Sequence, residues 1–220
     1  MKRSLKEILL RVVILLIGLT IAHLGVTLFL LANGADPFNV FVQGVFRTLQ
    51  RFVDFSLLTH GNTHVVISCI IILILLIVDR SYIKIGTLLC MICGGPIIDG
   101  FTLVLNPLFQ AFPAFWFKVI MMILGCVILA FGMTIVIKSD AGTGPNDLVA
   151  LVISEKLKKK FSIIRIVVDF SFVGVGILLG ADLGIGTFIC AFIVGPVAGV
   201  FLPFNEKIIN KTVDRVIKVN

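Results

Sequence analysis

Six long apolar runs alternate with short polar stretches along the chain, at about 8 to 32, 63 to 79, 85 to 105, 113 to 137, 162 to 180 and 184 to 204. Crossing roughly 30 Å of hydrocarbon as a helix takes about 17 to 25 apolar residues, so each run predicts a transmembrane span. The runs are continuous and lack the ten-residue alternation of barrel strands, and inside lipid the backbone must satisfy itself; helices are expected throughout. Two shorter segments, about 37 to 51 and 145 to 158, each begin at a proline, Pro37 and Pro145. Proline suits the first helical turn, where its missing N–H has no partner to lose.

The second half of the chain echoes the first. Gly18 and Gly25 are matched by Gly125 and Gly132, and Pro37-Phe38-Asn39-Val40 by Pro145-Asn146-Asp147-Leu148. Ile85-Gly86-Thr87, Cys90 and Gly95-Pro96 recur as Ile185-Gly186-Thr187, Cys190 and Gly195-Pro196. The extra residues of the first half fall around Asp54 to Gly61, where an insertion is cheap. The expected architecture is an all-α integral membrane protein forming one domain over residues 1–220. It would comprise repeat one at about 8–105, repeat two at about 113–204 and a basic tail at 205–220. If the short helices stop within the membrane there are six spans and the repeats are inverted. If they cross, there are eight and the repeats are parallel. Segments this short, ending in Arg47 and Arg51 or in Glu155 and Lys156, favour six.

Composition agrees with the pattern: 59% of the 220 residues are hydrophobic and mean hydropathy is +1.15. A net charge of +7 invites a nucleic-acid reading, yet the basic residues cluster at the ends of apolar runs. Lys2, Arg3, Lys6 and Arg11 lead the first, Lys156 to Lys160 precede the fifth, and Lys207, Lys211, Arg215 and Lys218 follow the last. That is the positive-inside signature, with both termini expected in the cytoplasm of a bacterial cell and no nucleic-acid partner. The first run is too long for a signal-peptide core and has an internal copy, so it is expected to stay. The five cysteines lie in apolar runs and are expected to be small buried residues.

The Gly-rich turn leading into Pro37-Phe38-Asn39-Val40 with Gly44, then Gly61-Asn62-Thr63, Ile85-Gly86-Thr87 and Gly95-Pro96-Ile97-Ile98-Asp99, resembles the YczE/YitT-like family of bacterial polytopic membrane proteins. The resemblance covers most of the chain. It departs at Phe38, where the family usually has tryptophan, and at Gly34-Ala35-Asp36, where a more Gly/Ser-rich turn is usual. The resemblance implies a small polytopic fold in the cytoplasmic membrane and no particular activity.

Candidate chemistry concentrates at the two breaks before the short helices, Asn33 to Asp36 and Ser139-Asp-Ala-Gly-Thr-Gly-Pro-Asn-Asp-Leu148. In transporters built from repeats, non-helical backbone at membrane depth lines cavities, and half-helix N-termini there bind solutes. The substrate-binding candidates are Asp36, Asn39, Asp140, Thr143, Gly144, Asn146 and Asp147. The competing reading makes the aspartates helix caps at the membrane surface. Arg165 and Asp169, four apart on the fifth span, can pair with one another or face a solute. His23, with Thr20 and Thr27 on roughly the same face, is a further candidate, and Asp99 and Asn106 are expected to approach the far interface. The two Gly-Thr and Gly-Pro pairs are expected to serve packing and hinging. The sequence thus favours a transporter or channel for a small polar or charged solute. An accessory subunit acting with a membrane partner, or a homo-oligomer, is the alternative. The chain has no GxxxxGK, HExxH or GxSxG, so no enzyme, metal or cofactor is expected.

Overall fold

The computed structural model describes residues 4–52 and 59–218. The expected insertion at Asp54 to Gly61 lies partly outside these residues. Eight α-helices make up the described fold: α1 (Leu5–Leu31), α2 (Pro37–Gln50), α3 (His60–Asp79), α4 (Ile85–Ala111), α5 (Phe115–Ser139), α6 (Pro145–Lys156), α7 (Phe161–Leu178) and α8 (Ile185–Lys218). A 3-10 turn at Arg80–Tyr82 links α3 to α4. Six helices, all but α2 and α6, are long and apolar enough to cross a membrane. Pro37 and Pro145 sit in the first turns of the two short ones. α8 continues past the expected end at 204, and Asn205, Ile209 and Val213 are buried along that extension.

Antiparallel α1 and α5 form the central pair. Arg11 Nη1 donates to Ser139 O at 3.1 Å, Gly18 backs onto Val136, and Gly25 onto Gly125. The approach is so close that a Cβ on Gly25 would lie 2.3 Å from Leu129 N, and one on Gly132 would lie 2.2 Å from Ala22 N. Only residues without a side chain allow two helix backbones to pack at this distance. α4 follows α1 in the same direction, with Gly86 at Leu15 and Gly94 at His23. α8 follows α5, with Gly186 near Met122, Phe201 edge-on to Phe131, and Lys138 paired with Glu206. Phe29, Cys126, Ala130, Met133 and Val194 lie at the heart of the largest apolar cluster.

α7 packs along α8, with Phe170 against Phe192 and Gly195 and Gly199 against Ser162. α3 and α4 scarcely touch. Gly95 and Gly100 of α4 accordingly face open space, and Asp99 between them is exposed. α4 continues twelve residues beyond Asp99, about 18 Å of helix. Cys90, Cys126 and Cys190 are buried, whereas Cys69 is exposed on α3, so the expectation of five buried thiols fails there.

Candidate functional site

The two short helices both start against α7 and run apart from one another. α2 follows α7 toward its C-terminal end: Phe38 meets Phe172 edge-on, Gly44 backs onto Gly176, and Thr48 Oγ1 donates to Leu179 O at 3.0 Å. α6 begins at the other end, where Asp147 Oδ1 accepts from Arg165 Nη1 at 2.5 Å. It then follows α3, with Leu148 and Val152 against Leu75 and Glu155 accepting from Tyr82 Oη. Arg165 and Phe172 are seven residues apart, about 10 Å along the helix axis. The N-termini of α2 and α6, with the positive ends of their dipoles, therefore face the same interior stretch of α7.

A buried ionic cluster occupies that stretch. Arg165 Nε donates to Asp169 Oδ2 at 2.9 Å while Nη1 reaches Asp147. Arg165 is 6% exposed and Asp169 1%. The pairing of Arg165 with Asp169 follows from their four-residue spacing on α7. The addition of Asp147, from the loop-proximal turn of α6, could not be read from sequence periodicity. Asp147 brings the second break to this centre, and the first break approaches it through Phe38 against Phe172, one turn beyond Asp169. His23 Nδ1 lies 2.8 Å from Leu19 O, and its Nε2 faces Gly94. Thr27 shares its buried surroundings, but Thr20 is exposed and does not complete the expected polar face.

The two breaks are built differently. At the first, Asp36 Oδ1 accepts from Phe38 N at 3.0 Å and Asn39 N at 3.1 Å, and Asn39 Nδ2 donates to its other oxygen. Ala35 O accepts from Thr187 Oγ1 at 2.8 Å. Of the three aspartates weighed as helix caps, Asp36 takes that role at a helix N-terminus. Asp140 sits at the C-cap of α5 with φ 56°, pairs with Lys84, and its carbonyl accepts from Lys84 Nζ at 3.2 Å. Gly144 is the N-cap of α6 and supplies no side-chain bond. The connecting residue Gly142 has φ 132°, a conformation that penalises any side chain, and a Cβ there would lie 2.5 Å from Thr87 N. Gly86 N donates to Ala141 O at 2.8 Å, so the start of α4 is laced to this break. Thr87 and Thr143, 0% and 1% exposed, hold hydroxyls with no hydrogen-bond partner among the described residues.

The second break forms the inner wall of a cavity of about 1100 Å³. Arg11, Lys84 and Lys138 line it with Asp140, Gly142 and Thr143, and Lys158 and Lys159 stand at the C-terminal end of α6. Leu148, Phe161 and Leu202 supply apolar wall. Arg11, Lys84 and Thr87 were not among the sequence candidates; they lie in other helices and only the fold brings them here. His64 packs edge-on against Phe38 at the start of α2.

Fold and site together define a polytopic helical membrane protein with two short helices whose N-termini point into its interior. The chain belongs to a family of unknown function (DUF6198), which matches residues 9–203. It is 27% identical over 212 residues to the uncharacterized membrane protein YczE of Bacillus subtilis, covering 96% of this chain and 94% of that one. It is 27% identical over 190 residues to an uncharacterized protein of Haemophilus influenzae, covering 86% and 82%, and 26% identical over 198 residues to YyaS of B. subtilis, covering 87% and 92%. No solved structure matches significantly.

Proposed function

We propose that this protein is a transporter or channel-like protein for a small polar or charged solute, built from two inverted repeats in the bacterial cytoplasmic membrane with both termini in the cytoplasm. The observation that carries the reading is the buried Arg165–Asp147–Asp169 cluster, made by the start of α6 against α7, with the start of α2 packed one turn further along α7. Ionised groups inside a membrane protein are expensive unless paired or wet, and they tend to mark solute or ion paths. The antiparallel α1–α5 pair and the opposite directions of the short helices support inversion, the geometry that lets one half rock against the other.

The binding candidates on this reading are Asp36, Asn39, Asp140, Thr143, Gly144, Asn146, Asp147, His23, Arg165 and Asp169. The protein purified alone and reconstituted into liposomes should move a solute from a panel of small labelled cations, anions and zwitterions. The Arg165→Leu/Asp147→Asn/Asp169→Asn variant, which leaves no lone buried charge, should lose that flux while eluting as a monodisperse species. Undiminished flux in the variant would remove the cluster from the path.

The uncovered face of α4, with Asp99 between Gly95 and Gly100, favours a second reading: an accessory subunit acting beside a membrane partner. Binding without flux until a partner is added would decide for it.

A further inference from the structure

We infer that the second break, Asp140 to Gly144, binds a monoanionic group, a carboxylate or a phosphodiester, presented through the cavity on that side of the molecule. The inference rests on the reading of the breaks as the solute site and names what the second of them takes.

The valences left open there are donors. The last carbonyls of α5 already accept from cations, Ser139 O from Arg11 and Asp140 O from Lys84, so an incoming cation would find those oxygens taken. The α6 N-terminus has no side-chain cap, since glycine stands where α2 has Asp36. Beside it the hydroxyls of Thr143 and Thr87 are buried without partners, whereas Thr187, in the corresponding position of α8, donates to Ala35 O. An uncapped helix start flanked by two vacant hydroxyls is a ready set of anion donors. Arg11 and Lys84 on the approach are balanced by Glu7 and Asp140, and Lys158 and Lys159 add positive charge at the rim.

The charge of the guest is limited by Asp147. A Cβ on Gly144 would come within 3.9 Å of its carboxylate, which Arg165 pairs and partly neutralises. A single negative charge is tolerated beside that pair better than two.

Binding of labelled acetate and of dimethyl phosphate to the purified protein in phosphatidylcholine nanodiscs tests this. Saturable binding of either is expected. Gly144→Asp installs at α6 the cap that Asp36 gives α2, and should weaken binding about tenfold or more while preserving or raising the melting temperature, because a like charge then fills the guest's place. Should Gly144→Asp fail to fold, Thr143→Val and Thr87→Val replace only the hydroxyls, and each should weaken binding about threefold to tenfold.

Equal binding by wild type and all folded variants overturns the inference, as does a wild type that takes neither anion. Suppression of dimethyl phosphate binding when phosphatidylglycerol is added identifies a lipid headgroup as the source; indifference to that lipid identifies a soluble anion. Anion binding without liposome flux would retain this site and remove the transport reading. Flux of a cation or zwitterion with no anion binding would do the reverse.

Discussion

The first break closes on itself and the second does not, although both precede a short helix that begins with proline. Asp36 takes two amides and the Asn39 side chain, and Thr187 takes the carbonyl before it, so the first break has its polar groups matched. At the second, the acidic residues are turned outward to cations, Asp140 to Lys84 and Asp147 to Arg165. The helix start and two threonine hydroxyls are left unmatched. Matched polar groups rigidify a structure, and unmatched buried ones are expensive unless something else completes them. The same contrast runs through the long helices: α8 is covered by α7, while α4 is bare where α3 stands off. One side of this molecule has its polar groups and helix faces matched, and the other leaves them open.

The strongest way to break the comparison is at the buried arginine. Arg165→Ala leaves Asp147 and Asp169 facing each other in an apolar interior, and loss of one partner of a buried pair costs about 3–5 kcal/mol. Most of the protein should then aggregate on detergent extraction, monitored by size-exclusion chromatography. Removing all three charges, as Arg165→Leu with Asp147→Asn and Asp169→Asn, should recover the monodisperse peak, since no lone charge remains. A triple variant as damaged as the single one would mean that Arg165 holds the fold through contacts other than charge.

The difference between the covered and bare helices is sharpened by one substitution made twice. A Cβ on Gly195 would lie 2.9 Å from Ile166 and from Ser162 O, whereas one on Gly95 meets nothing within 4 Å. Gly195→Ala should therefore cost about 1–3 kcal/mol through overpacking. Gly95→Ala should be neutral or stabilising by up to about 1 kcal/mol, the helix-propensity gain of alanine over glycine. Thermal melting of the two variants in one detergent provides the measurement. Equal losses would imply that something in the membrane covers α4 as α7 covers α8.

Part of this contrast was legible in the chain and part was not. The six spans, the two proline-started helices and the Arg165–Asp169 spacing follow from local periodicity, which the backbone geometry of a helix converts directly into position. Lys84 and Asp140, Arg165 and Asp147, and Thr187 and Ala35 are joined across loops, and no period links them. The sequence therefore pointed to Asp36, Asp140 and Asp147 as one kind of residue. The structure gives them three tasks: a cap, a partner for Lys84 and a partner for Arg165. The apolar run weakens near residue 105, but the α4 helix continues through Asn106 and Pro107 to Ala111.

A smaller effect is expected at the cap itself. Asp36→Ala removes the acceptor for Phe38 N and Asn39 N, and loss of such a cap costs about 0.5–2 kcal/mol. It should lower the melting temperature by a few degrees without abolishing the fold, and it would make the first break resemble the second. If new anion binding appeared in this variant, the open helix start alone would suffice for recognition, and the threonine hydroxyls would be dispensable.

The smallest effect belongs to the outer end of α2. There Arg47 donates to Gly180 O at 2.8 Å and pairs with Asp182, and this hydrogen bond holds the Asp182 carboxyl below its ordinary value near 3.8. A carboxyl depressed on folding contributes stability above its unfolded value and loses that contribution as pH falls through the folded one. The pair is exposed, so solvent screens it and the contribution is slight. Melting curves of wild type and Asp182→Asn should differ by a small, constant amount from pH 7 down to about pH 4, and converge below that as the carboxyl protonates. A difference that persisted into strong acid would show that the Asp182 side chain acts through its hydrogen bonds rather than its charge, whereas no difference at any pH would leave the bond from Asp182 N to Gln43 Oε1, which the substitution keeps, as what fastens the α7–α8 loop to α2.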